Sequence, residues 1–203
     1  MVTVDTASPV DESELVAPNR EAMLAVIDAA RTCRERVGRD RVTMDDVCAE
    51  AGISRATLYR LFPGGRDVLF DAVREQSLAE FFGDLTGEID GAVSLEDLLV
   101  RIIVGASTAL RDDEHLAVSL ATEPGAALGD LTFDGLERII RSATEFFSPF
   151  VGRFTSASNT AEIMDVMARL VISYHLSPSR IFDFTDRGSA SRFVRTHLLP
   201  AIN

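Results

Sequence analysis

The sequence predicts an all-α protein, an N-terminal three-helix helix-turn-helix domain followed by a larger helical domain. Three observations carry that expectation. Apolar residues recur at i, i+3 and i+4 through most of the chain, and no segment alternates long enough to make a strand. The stretch VTMDDVCAEAGISRATLYRLFPGGRDVL, residues 42–69, reads as two short helices joined by a tight turn and followed by the start of a third. With 203 residues, 46% of them hydrophobic, there is ample material for one or two cores. The expected organisation is an acidic arm over residues 1–19, the helix-turn-helix domain over 20–67 and the larger helical domain over 68–203.

The arm is rich in Ser, Thr and Pro, lacks a hydrophobic period and is expected to be disordered. It has no basic residue with which to hold a nucleic acid. Residues 20–37 then form a helix by pattern, with Met23, Ile27, Ala30 and Val37 recurring on one face and Leu24 and Val26 beside them. Arg34, Arg36 and Arg39 sit favourably at its negative C-terminal end, and Gly38 closes it.

Thr43 is the expected N-cap of the next helix, with Asp45 and Asp46 at the positive end of its dipole. Val47, Cys48 and Ala51 make its apolar stripe, and Gly52 ends it because glycine accepts the left-handed conformation cheaply. Ser54 caps the following helix, whose buried face is Leu58, Leu61 and Phe62. With Leu58 inward, Ala56 and Arg60 point outward, Thr57 and Tyr59 lie on the flanks, and Arg55 splays from the first turn. Pro63, Gly64 and Gly65 stop the helix. An outer face of this composition suits a DNA major groove. Arginine pairs bidentately with guanine, a small apolar side chain meets a thymine methyl, and hydroxyls bond phosphates. The same geometry also serves as a packing turn in all-α proteins.

Thr43, the run Val47-Cys48-x-x-Ala51-Gly52-Ile53-Ser54, the tripeptide Thr57-Leu58-Tyr59, and Phe62 resemble the DNA-binding domain of the TetR family of bacterial transcriptional regulators. The resemblance spans roughly residues 20–75, and Leu69 begins the counterpart of the family's connecting helix. Two departures stand out: Cys48 replaces the usual alanine, and Pro63-Gly64-Gly65-Arg66 is one residue longer than the family's linker, with Arg66 in place of a common lysine. The resemblance implies double-stranded operator DNA as partner. Ser54, Arg55, Ala56, Thr57, Tyr59 and Arg60 are then its expected contacts, with Thr43 and Arg66 on flanking phosphates.

Beyond the connecting helix, expected over 66–86, the chain is helical and more apolar. Ser94 and Asp97 make a near capping box for a helix whose stripe includes Leu99, Ile102, Ile103 and Ala106. A short helix over 115–122 is broken by Glu123-Pro124-Gly125. Residues 133–151 form a longer one carrying Ile140, Ala143, Phe146, Phe147 and Phe150, with Pro149 expected to end or kink it. Residues 160–176 show a wide apolar face of Ile163, Met164, Met167, Leu170, Val171 and Tyr174. A final helix over 189–199 carries Phe193, Val194 and His197.

By resemblance, the central helices enclose an effector pocket. Its expected lining is Leu99, Ile102, Ile103 and Ala106 facing Ile140, Ala143, Phe146, Phe147 and Phe150, suited to an apolar small molecule. The alternative is that these side chains fill a solid core. The resemblance also implies a homodimer through the last two helices. Ile163, Met164, Met167, Leu170, Val171, Tyr174, Phe193, Val194 and His197 are the expected positions, shared in an unspecified way between partner and subunit core.

The net charge of −12 argues at first against nucleic acid, but it divides unevenly. The arm carries −4, residues 20–67 carry +1, and the remainder carries −9. Local field governs phosphate contact, and only the helix-turn-helix segment escapes the acidity. Every cation is an arginine. Cys33 and Cys48 fall in apolar patterns and are expected as buried thiols, consistent with a cytoplasmic protein. No signal peptide, transmembrane run, metal-ligand spacing, phosphate-cradling loop or catalytic motif is legible, so neither an enzyme, a cofactor nor a membrane partner is expected. Three readings follow: a ligand-released repressor, a DNA-binding regulator with a filled core controlled by a protein partner, and a helical small-molecule-binding or enzymatic protein whose helix-turn-helix is only structural.

Overall fold

The structure is a computed structural model that describes residues 12–38, 41–122 and 124–202, with the backbone alone at 12–18, 126, 133 and 134. Among the described residues there is no strand. The chain divides into two compact units after Ser77.

The first unit comprises α1 (Glu12–Val37), α2 (Met44–Ala51), α3 (Arg55–Leu61) and the first half of α4 (Arg66–Asp84). Its core joins Val26, Ala30 and Cys33 of α1 to Val47 of α2, Leu58 and Leu61 of α3, Phe62, and Leu69, Phe70 and Val73 of α4. Leu24, expected beside the inward stripe, is instead 42% exposed. Helix α1 starts at Glu12 and not at Arg20, so the expected disordered arm is helical in backbone over its last residues. Residues 1–11 of the arm lie outside the described residues, as does Arg39. Leu69, Phe70 and Val73 also explain why the unit runs to Ser77 and past the expected boundary at 67: they belong to its core.

The second unit holds the rest of α4, then α5 (Thr86–Ile89), α6 (Leu95–Asp112), α7 (Glu114–Thr122), α8 (Pro124–Leu131), α9 (Phe133–Val151), α10 (Ala157–Leu176), α11 (Arg187–Phe193), a π-helical turn (Val194–Leu198) and α12 (Leu199–Ile202). Helix α8 was not expected, because Pro124-Gly125 reads as a breaker. Pro124 is instead its first residue, where the missing N–H and fixed φ favour a helix start. Pro149 does not end α9, which runs two residues further, to Val151. Ser94 caps α6 by accepting from Asp97 N–H at 3.1 Å. Asp97 reaches back to Val93 N–H at 3.4 Å and not to that of Ser94, so the box is incomplete.

Helix α6 is central to this unit. Leu98, Leu99, Ile102, Ile103 and Ala106 are buried against α9 and α10 in one cluster that includes Ala143, Phe147, Met164 and Met167. Of the expected pocket lining, these α6 residues with Ala143 and Phe147 are core, Phe146 and Phe150 are half-buried at its edge, and Ile140 is half-buried without packing on it. The aromatic rings pack on one another, with Phe146 edge-on to Phe147 at 5.0 Å and stacked on Phe150 at 6.1 Å. A polar seam fastens α6 to α11: Arg187 pairs with Asp97 at 2.6 Å, and Ser191 Oγ donates to Glu96 at 3.1 Å. Burial would raise the Asp97 pKa, but hydrogen bonds from Arg101, the Val93 amide and Arg187 outweigh it and hold the carboxyl below the ordinary range.

Of the expected dimer positions, Ile163, Met164, Met167, Val171, Phe193 and Val194 are buried in the core of this unit. Tyr174 stacks on Phe184 at 4.2 Å within the subunit. Leu170 is half-buried and His197 is exposed, although its ring lies 5.0 Å from that of Phe193. The wide apolar face of α10 is wide because it packs on both α6 and α9. The opposite face carries Glu162, Val166, Arg169 and Ser173, all exposed, with Val166 at 43%.

Candidate nucleic-acid interface

Local chemistry builds the reading head. Thr43 caps α2 in a complete capping box: its Oγ1 accepts from Asp46 N–H at 3.2 Å, and its own N–H donates to Asp46 Oδ2 at 2.8 Å. The Thr43 hydroxyl also donates to Asp46 Oδ2 at 2.6 Å. These side-chain and backbone hydrogen bonds from Thr43 hold the Asp46 carboxyl below the usual range. Gly52 takes φ 65°, and the amides of Gly52 and Ile53 both reach back to Cys48 carbonyl oxygen. The chain re-emerges in extended geometry at Ser54, whose Oγ accepts from Thr57 N–H at 3.1 Å and caps α3. Arg36 of α1 pairs with Glu50 of α2 at 3.0 Å.

Leu58 and Leu61 anchor α3 inward, and Phe62 just beyond it is 1% exposed. That fixes what looks outward. Ser54, Arg55, Ala56, Tyr59 and Arg60 are exposed and Thr57 is half-buried, so the structure brings together the expected contact face on one side of α3. The Arg60 side chain makes no ion pair or hydrogen bond among the described residues, leaving its guanidinium open to a ligand.

Two expected contacts are occupied elsewhere. The Thr43 hydroxyl serves its own cap, and a phosphate would have to compete with Asp46 for its proton. Arg66 is half-buried, donates to the Val42 carbonyl, and lies over the Phe70 ring at 4.8 Å. It ties the start of α4 to the strand of chain preceding α2.

Two residues that shape this face escape the sequence pattern. Asp45 of α2 grips Arg55 through both carboxylate oxygens, with Oδ1 2.5 Å from Nε and Oδ2 accepting from Nη2 at 2.8 Å. Gly65 is the second. At φ +70°, its missing Cβ would stand 3.1 Å from Tyr59 Cε1, so the tyrosine ring rests on glycine backbone. Neither pairing follows a helical period, and only the fold brings the partners together. Gly65→Val is accordingly expected to strain the left-handed backbone by about 1–2 kcal/mol and to push the Tyr59 ring off its seat. Operator affinity should fall more than that stability cost accounts for, which thermal melting and gel-shift titration of the variant would measure together.

A short helix docked by its apolar side across a glycine turn, with arginine, tyrosine and a small side chain facing out, defines a helix-turn-helix DNA-binding regulator. Residues 26–73 match the family model for bacterial regulatory proteins of the tetR family. An uncharacterized HTH-type transcriptional regulator of Mycobacterium tuberculosis (strain ATCC 25618 / H37Rv) is 25% identical over 182 residues, covering 88% of this chain and 90% of its own. One from Mycobacterium bovis (strain ATCC BAA-935 / AF2122/97) is similar to the same extent, 25% over 182 residues. Among solved structures, the TetR family repressor AlkX from Dietzia sp. strain DQ12-45-1b, implicated in biodegradation of n-alkanes, has the same fold. It superposes with a TM-score of 0.56 at 24% identity, covering 89% of this chain and 97% of that one. Residues 26–73 thus carry a DNA-binding domain of the type found in bacterial regulatory proteins of the tetR family. Among the described residues no helix is long and apolar enough to cross a membrane.

Proposed function

We propose that this regulator is a repressor that binds a pseudo-palindromic operator as a homodimer and is released by a hydrophobic small-molecule effector. The observation that carries the DNA half is the outward face of α3, where Arg60 stands exposed and unpaired beside Tyr59 and Ala56. Two such heads about 34–36 Å apart would enter successive major grooves. The dimer face is the exposed side of α10 around Val166, Arg169 and Ser173, with Leu170 at its edge and His197 contributing from the π-helical turn.

The effector site is the α6–α9 layer. Phe146 and Phe150, half-buried and stacked, are the side chains an entering ligand would displace, with Leu99, Ile102, Ile103 and Ala106 behind them. Ser107 Oγ of α6 is buried without a hydrogen-bond partner, so an apolar molecule with one polar group fits best. A coupling of about 1–3 kcal/mol between ligand and DNA suffices for release. The reading with a filled core and a protein partner is favoured by one observation: Leu99, Ile103 and Phe147 are at most 1% exposed.

Gel-shift titration on a selected operator tests the DNA half. Arg60→Ala should weaken the cognate site by about 1–3 kcal/mol per half-site and relax one base position, with the melting midpoint unchanged. Unchanged affinity and unchanged salt dependence for both Arg60→Ala and Tyr59→Phe would sink it. The effector half is separated from its rival by Ser107→Ala, which should alter the release of operator by alkyl alcohols and fatty acids used as probes.

A further inference from the structure

We infer that Asp45 is a positioning residue for sequence reading: it grips one edge of the Arg55 guanidinium and leaves the other edge aligned for a guanine. The inference rests on the proposed assignment of Arg55 to the DNA-reading face. Arg55 opens α3, and Asp45 is the second residue of α2, so the pair bridges the two helices of the reading head. Asp45 Oδ1 lies 2.5 Å from Nε, and Oδ2 accepts from Nη2 at 2.8 Å. Both carboxylate oxygens therefore engage the Nε–Nη2 side of a planar group that carries five N–H donors. What remains is the Nη1–Nη2 end, whose two nitrogens match the O6 and N7 acceptors that guanine shows in the major groove.

The pair is not there for stability. Its side chains are 64% and 65% exposed, and ion pairs so open to water contribute little. Its effect is on Arg55. An arginine in the first turn of a recognition helix can settle on a phosphate as readily as on a base, and a phosphate contact reads no sequence. The Asp45 carboxylate repels a phosphate on that side and fixes the plane of the guanidinium. A guanine edge then meets a preset fork, with less side-chain freedom to lose on binding.

The test is selection from a pool of random duplex DNA by the full-length protein, followed by sequencing, for wild type, Asp45→Ala, Asp45→Glu and Arg55→Ala. Wild type should enrich sites with one guanine per half-site that Arg55→Ala no longer selects. Asp45→Ala should lose preference at that same position by about 5- to 150-fold, the worth of one bidentate pair, while every other position is kept. Asp45→Glu should restore part of it. Binding of Asp45→Ala to non-cognate duplex should stay level or rise, with a steeper salt dependence if the freed arginine turns to phosphate. An unchanged guanine preference in Asp45→Ala would overturn the inference, as would an equal loss at all positions. If Arg55→Ala keeps the whole motif, the assignment of Arg55 itself fails, and that result is distinct from the other two.

Discussion

Met167→Glu is expected to unfold the C-terminal unit, and Val166→Glu, one residue earlier, to leave it folded but monomeric. Met167 is 2% exposed within the cluster formed by α6, α9 and α10. A carboxylate placed there either stays charged without a partner or takes up a proton, and an uncompensated buried charge costs on the order of 3–5 kcal/mol. That is a large part of the 5–15 kcal/mol by which folded domains typically exceed their unfolded state. Val166 is 43% exposed on the opposite face of the same helix, so its replacement disturbs no core. In the proposed dimer it would instead set two carboxylates against each other near the two-fold axis. Circular-dichroism melting and sedimentation of both variants separate the cases. A wild-type melt for Met167→Glu would contradict the packing, and a persistent dimer in Val166→Glu would remove α10 from the interface. The monomer should keep one reading head and lose operator affinity, because the second half-site goes unread.

Leu58→Ala should have the second-largest effect. Leu58 is fully buried at the centre of α3, among residues from all four helices of the first unit. Truncating a buried leucine to alanine costs about 2–5 kcal/mol. The seven-residue α3 is too short to persist without docking. DNA binding should therefore vanish together with the melting of the first unit, whereas Arg60→Ala should remove affinity alone. Hydrogen exchange of the α2 and α3 amides would show it. Protection in Leu58→Ala equal to wild type would mean that α3 is held by something other than this side chain.

The reading head was largely legible in the sequence because its determinants are local. Thr43, Gly52 and Ser54 act within three or four residues of where they stand, and Leu58 and Leu61 follow the helical period. Asp45 with Arg55, Gly65 with Tyr59, and Arg66 with Val42 escaped for the opposite reason. Each pairs residues that come together only when helices pack, and no spacing rule marks them. In the second unit the helices were legible and their burial was not. A broad apolar face on α10 says that several neighbours are needed, but not whether they come from the same subunit. Here α6 and α9 supply them. Helix α8 was missed because proline breaks a helix interior and starts a helix equally well.

The seclusion of Cys33 and Cys48 makes the protein convenient to label. Cys33 is fully buried and Cys48 is 8% exposed, and burial pushes the Cys33 thiol above its ordinary pKa, away from the thiolate that maleimides attack. The chain also contains no lysine, so amine-reactive dyes have no side chain to modify. A cysteine introduced at Val93, 85% exposed and outside α10, would then be the one readily alkylated thiol of the folded molecule, and a fluorophore there could follow assembly by its anisotropy without first stripping the native cysteines from the core.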